Sequence, residues 1–177
     1  NPGLDEGQTL SASMRLGLTP VGEFRPENAG VMVVGDPVLT LDVDPLTLRK
    51  VNPLPAGKVT HKETTCLSAC TAAKMSGPVT VFGSMLHGHM LMQSSWTTHF
   101  AANGTRLGVI DSSQFWSFDH QQLRTVPSIV INPGDRLNTH CVYDLTKSPV
   151  NVPFGQPSNN EMCIHFLFVT PIERAVN

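Results

Sequence analysis

The 177-residue chain is predicted to be all-β, an antiparallel β-sandwich of jelly-roll character with about eight or nine short strands. Three observations predict it. The 14 glycines and 14 prolines are spread along the whole length and leave no stretch long enough for a row of amphipathic helices. Between them, short apolar and β-branched runs recur, each bounded by turn residues. Hydrophobic residues make up 40% of the chain and the net charge is only −2, so the composition buries a core rather than staying disordered. The length suits one domain, residues 1–177.

The elements follow in order. Met14, Leu16 and Leu18 fall on one face at period two, so Ser11 to Thr19 reads as a strand stopped by Pro20. Ala29 to Gly35 is a continuous apolar run, long enough for a buried strand and too short for a helix. Lys50 to Lys58 holds Pro53, Pro55 and Gly57 and reads as an exposed connection. Pro78 to Met92 is extended, with two histidines near its centre, and Gln93 to Phe100 continues it. Ala102-Asn103-Gly104-Thr105 is a hairpin signal of the type I′ kind, and Thr105 to Ile110 is the return strand. Val126 to Ile131 ends at the turn Asn132-Pro133-Gly134-Asp135, followed by a strand from Leu137 to Tyr143. A Pro/Asn/Gly-rich loop runs from Ser148 to Asn160, and the last strand is Met162 to Thr170. Helical turns are expected only within Thr64 to Met75 and Asp119 to Arg124.

Composition also excludes partners. A pI near 6.4 leaves no basic footprint for nucleic acid. No run of 18 apolar residues exists, so no membrane span is expected. The four cysteines Cys66, Cys70, Cys141 and Cys163 suit an oxidising compartment and allow three pairings, while Cys66 and Cys70 would equally serve as a metal pair. Asn103-Gly104-Thr105 is a glycosylation sequon and fits the same compartment, secreted or lumenal. The opening Asn1-Pro2-Gly3 is turn sequence rather than a signal peptide, as expected of a processed product or a piece of a longer chain.

The chemistry-bearing residues begin with His87-Gly88-His89. Residues two apart on a strand share a face, so both imidazoles project into one region, as a metal needs. A solvated strand face carrying two of the seven histidines is the plainer alternative. A cupin would add a glutamate a few residues on, but Met90 to Phe100 contains no acid. The second feature is Glu161-Met162-Cys163, where the thioether is a soft ligand suited to Cu(I) and imidazole also suits copper.

Leu86-His87-Gly88-His89, then Asn132-Pro133-Gly134-Asp135-Arg136-Leu137 with Cys141, then Glu161-Met162-Cys163 is similar to the C-terminal domain of the copper type II, ascorbate-dependent monooxygenases, the family of dopamine β-monooxygenase and peptidylglycine α-hydroxylating monooxygenase. The likeness runs in the same order along nearly the whole chain. It implies an antiparallel sandwich, an oxygen-activating copper held by His87, His89 and Met162, and a Cys141–Cys163 disulfide. It also implies ascorbate as external reductant, and an electron-transfer copper domain N-terminal to this one in cis. A small-molecule substrate, unknown in identity, would be hydroxylated at a C–H bond.

Two departures matter. The family usually places Thr between the histidines, and Gly88 is expected to loosen the strand. The positions that grip a substrate carboxylate in the peptide-processing members are here Met85, Ile164 and Phe166, which would wall the site with apolar side chains. No catalytic residue is expected beyond the metal ligands, and His61, His99, His120, His140 and His165 are assigned to surface or core. These departures keep a second reading open: a non-catalytic extracellular structural or adhesion module with a vestigial copper site.

Overall fold

A computed structural model describes residues 13–17, 22, 26–35 and 53–175. Eight strands make up its framework: β1 (Gly30–Gly35), β2 (Val59–Cys66), β3 (Val79–His87), β4 (Met92–Phe100), β5 (Arg106–Ser113), β6 (Arg124–Ile131), β7 (Arg136–Asp144) and β8 (Ile164–Thr170). They form two four-stranded antiparallel sheets, ordered β1-β8-β3-β6 and β2-β7-β4-β5. Apart from the β4–β5 hairpin, every pairing joins strands that are not consecutive in sequence, within the expected antiparallel sandwich. Among the described residues, helical structure is confined to α1 (Ser68–Lys74) and two 3-10 turns, Phe118–His120 and Ile172–Arg174.

The alternation that builds the sheets is clearest in β7, where every second residue is buried from Leu137 to Tyr143. Between the sheets lies a core of Val34, Val79, Val81, Ile110, Ile131, Leu137, Leu167 and Val169. A second cluster, with Leu54, Met92, Cys141, Tyr143, Leu145, Phe154 and Cys163, fills one end of the sandwich. Fully burying side chains of this kind is worth about 1.5–3 kcal/mol each. This second cluster is the floor on which the candidate site rests.

Four expectations change. Residues 13–17 form no strand: Met14 and Leu16 are 94% and 76% exposed, and the segment pairs with no strand among the described residues, so period-two spacing is not enough. Leu18 lies outside the described residues. The connection before β2 is not simply exposed, because Leu54 is fully buried and bridges Val152. Strand β2 itself was hidden in the sequence: it is an edge strand, Thr-rich and polar, with no clear apolar face. Finally, the β4–β5 hairpin closes with Gly104 N–H donating to the Ala101 carbonyl at 2.8 Å. Ala102 and Asn103 are its central residues, and Gly104 takes φ +87° after them. That is a four-residue turn with glycine in the left-handed position, rather than a two-residue Asn-Gly turn.

Candidate metal centre

His87 is the last residue of β3, and His89 lies just past it in the tight connection to β4. Their rings stand 5.4 Å apart at 89°. Gly88 between them is buried. A Cβ there would stand 2.0 Å from the Met92 methyl, 2.8 Å from its sulfur and 3.1 Å from the Met162 carbonyl oxygen. Gly88 therefore does not loosen this segment. Met92 fills the space a larger side chain would take, and the Met162 backbone passes directly beside the middle of the His-Gly-His triplet.

Hydrogen bonds set the ring tautomers. The amide group of Gln121 donates to the Phe118 carbonyl at 3.0 Å, so its oxygen must face His87. His87 Nδ1–H then donates to Gln121 Oε1 at 2.6 Å. His89 Nδ1–H donates to the Asn160 carbonyl at 3.0 Å. Both rings therefore keep a lone pair at Nε2, the form in which a histidine ligates metal while its other nitrogen is held in place. Burial lowers the pKa of His87, the Gln121 hydrogen bond opposes that, and His89 adds to it. His89 is itself 5% exposed, packed edge-on to Phe118 at 5.9 Å, and its carbonyl accepts Trp116 Nε1–H at 3.2 Å. The segment between β5 and β6 thus backs both imidazoles. A cavity of about 250 Å³, lined by Trp116, His120, Gln121 and Arg124 among others, lies within that segment.

Met162 sits two residues before β8, buried, and three restraints fix its neighbourhood. Tyr143 O–H donates to its carbonyl at 2.7 Å. Cys163 is bonded to Cys141 on β7, as the resemblance implied. Glu161, fully buried, accepts the amide N–H of Leu91 at 2.6 Å and of His89 at 3.0 Å. Burial pushes the Glu161 carboxyl up to about 7, against the amides of Leu91, His89 and Met162 that favour its ionised form.

The apolar trio also comes together. Register pairs Met85 with Phe166 and His87 with Ile164, so all four share the outer face of the β1-β8-β3-β6 sheet. Phe166 stands 5.9 Å from the His87 ring. Of the remaining histidines, His120 lies on the segment that backs the imidazoles, next to Gln121, and the others lie elsewhere. His99 pairs with Asp135 at 2.8 Å in the interior, and His140 stacks on Trp96 at 4.6 Å beside His61. His165 is fully buried between Ser84 and Thr97, at 2.6 and 2.7 Å. Cys66 and Cys70 are not bonded to each other.

Among the described residues, no three His, Cys, Asp or Glu side chains form a metal site. The Met162 backbone lies beside the pair, its carbonyl oxygen 3.1 Å from a Cβ built at Gly88. Two neutral imidazoles and a thioether fit a soft or borderline ion such as copper. Sequence reasoning missed Glu161, Gln121, Asn160, Trp116 and Tyr143, which hold the donors rather than donate. Only Glu161, next to Met162, carried any local signal.

The chain belongs to the copper type II ascorbate-dependent monooxygenase family: residues 41–174 match the model of its C-terminal domain. It is 28% identical to tyramine beta-hydroxylase of Caenorhabditis briggsae over 174 residues, 97% of this chain and 27% of that protein. It is 27% identical to dopamine beta-hydroxylase of Homo sapiens over 175 residues, 97% of this chain and 26% of the relative. The putative DBH-like monooxygenase protein 2 of Homo sapiens is 38% identical over 95 residues, 52% of this chain and 19% of that protein. The chain thus spans about a quarter of the length of the first two relatives.

Proposed function

We propose that this domain is the copper-binding, oxygen-activating half of an ascorbate-dependent monooxygenase, with His87, His89 and Met162 as ligands. The observation that carries the reading is the His87–His89 pair, each ring offering Nε2, set against the Met162 backbone in a chain of this family. Copper held there would supply one-electron chemistry for O2 activation and C–H hydroxylation, with ascorbate and an N-terminal copper domain in cis as the electron source. The protein's own residues do the rest. Gln121 and Asn160 hold the imidazole protons at Nδ1, and Tyr143 and the Cys141–Cys163 bond fix the Met162 segment. Met85, Ile164 and Phe166 present an apolar wall beside His87 and favour a substrate without a carboxylate to anchor. The disulfide, the exposed sequon at Asn103 and the family relationship support a secretory route.

The adhesion-module reading drew support from Gly88 as a defect, and Met92 packed against Gly88 removes that support. Copper quantitation on anaerobically reduced protein tests the proposal. We expect about one Cu(I) per chain. Met162→Ile should leave the fold intact and sharply weaken Cu(I) while affecting Cu(II) less, and His87→Ala should weaken both. Tight Cu(I) binding indifferent to either substitution would rule out this ligand set.

A further inference from the structure

We infer that Glu161 is a positioning residue for the metal site, the side chain that holds the His87–His89 turn and Met162 together as one ligand unit; the inference rests on the copper reading above. Its carboxylate bridges segments 72 residues apart. One oxygen, Oε1, accepts the Leu91 amide at 2.6 Å, and the other, Oε2, accepts the His89 amide at 3.0 Å. Glu161 is the chain neighbour of Met162, so the residue that precedes one ligand holds the backbone amide of the other, His89.

The chemistry of the bridge is specific. Both oxygens face N–H donors, so both must accept, and only a carboxylate offers two acceptors in that shape. Glutamine would turn an NH2 group against one of the amides and leave two donors facing each other. Glu161 is fully buried, and no lysine, arginine or histidine side chain pairs with it among the described residues, so its partners are the backbone amides of the His87–His89 turn.

The test compares Glu161→Gln and Glu161→Asp with Met162→Ile and His87→Ala in the complete chain. Circular dichroism and the Cys141–Cys163 bond by peptide mapping first establish folding. Cu(I) affinity is then measured by chelator competition, and copper–sulfur scattering by X-ray absorption on the Cu(I)-loaded protein. We expect folded Glu161→Gln to bind Cu(I) at least tenfold more weakly and to lose copper–sulfur scattering, like Met162→Ile, although its thioether is intact. Glu161→Asp keeps both acceptors but is one methylene short, and should lose affinity to a smaller degree. A folded Glu161→Gln with affinity within twofold of the parent and its copper–sulfur signal intact overturns the inference. If His87→Ala and Met162→Ile weaken binding while Glu161→Gln does not, the copper reading stands and this inference alone falls. If neither of those two ligand variants affects Cu(I), both fall. If neither Glu161 variant folds, the residue is structural and the inference is wrong.

Discussion

At Gly88 the side chain that is absent has been replaced by one that arrives from elsewhere. Met92 occupies the space above the glycine, so the two positions are coupled. Gly88→Thr, which restores the family's usual residue, should destabilise this chain by about 2 kcal/mol through overpacking. Met92→Ala alone should cost about 2–5 kcal/mol as a buried methionine truncation. Together they should cost less than the sum by at least about 1 kcal/mol, because the threonine then enters the vacated space. Denaturant titration of the four proteins measures this, and strict additivity would show the two sites to be independent. His165 makes a second residue-scale case. Ser84 O–H donates to Asp111, so the serine oxygen accepts His165 Nε2–H, and Nδ1 accepts from Thr97. The ring is neutral, and burial pushes its pKa down to about 4, with Asp111 opposing the shift and Arg124 adding to it. In the unfolded chain histidine titrates near 6.5, so between pH 6.5 and 4 the unfolded state takes up a proton that the folded state refuses. Stability from this group is complete above pH 6.5 and lost progressively as pH falls towards 4, by roughly 3 kcal/mol at most. His165→Gln should flatten the stability profile across that window, and parallel profiles for the two proteins would refute the assignment.

Among the elements, the long loop between β7 and β8 is the one that needs anchoring. It carries Met162 at its end, and the Cys141–Cys163 bond closes it across 22 positions. Closing a loop of that length stabilises by about 3 kcal/mol in the chain-entropy model. Replacing both cysteines with serine should lower unfolding free energy by about that amount and weaken Cu(I) binding through the neighbouring Met162. A variant that loses stability but keeps full Cu(I) affinity would show that Glu161 and Tyr143 suffice to place the methionine. The β4–β5 hairpin is the opposite kind of element, short and locally encoded. Asn103 is exposed at its tip, with Oδ1 accepting the Thr105 amide at 3.0 Å. We expect a glycan there when the chain is made through a secretory route. Glycan-removing enzyme should then give a mass shift that Asn103→Gln abolishes, with unfolding free energy changed by less than about 0.5 kcal/mol.

For the whole molecule, the candidate site joins β3, the β3–β4 turn, the β5–β6 segment and the approach to β8, and so exists only when both sheets are assembled. Under the proposed function Cu(I) would bind the folded state alone, which would link its affinity to global stability. At free Cu(I) 100 times the dissociation constant, the gain should be about 2.7 kcal/mol. Thermal unfolding under anaerobic conditions should show a rise in Tm with copper that is absent in His87→Ala. An equal rise in both proteins would place the ion elsewhere.

Much of this architecture could be read directly from the residues. Strands with alternating or uniformly apolar runs, such as β6, β7 and β8, declare themselves because burial on one or two faces leaves a local pattern. The His87–His89 pair was legible only in part: period-two spacing predicts one strand face, but β3 ends at His87 and the turn beyond it brings His89 to 5.4 Å from the His87 ring. Strand β2 was not, because an edge strand with a polar outer face carries no such pattern. The segment at residues 13–17 shows the reverse: it has the spacing but pairs with no strand among the described residues. What the sequence by itself determined was the fold class and most of the strand order along the chain. Only the tertiary structure decided that Met92 completes Gly88, that Gln121 and Asn160 set the tautomers, and that Glu161 ties His89 to Met162. Those contacts join residues dozens of positions apart, and hydrogen bonds and packing across such separations leave no trace in local periodicity.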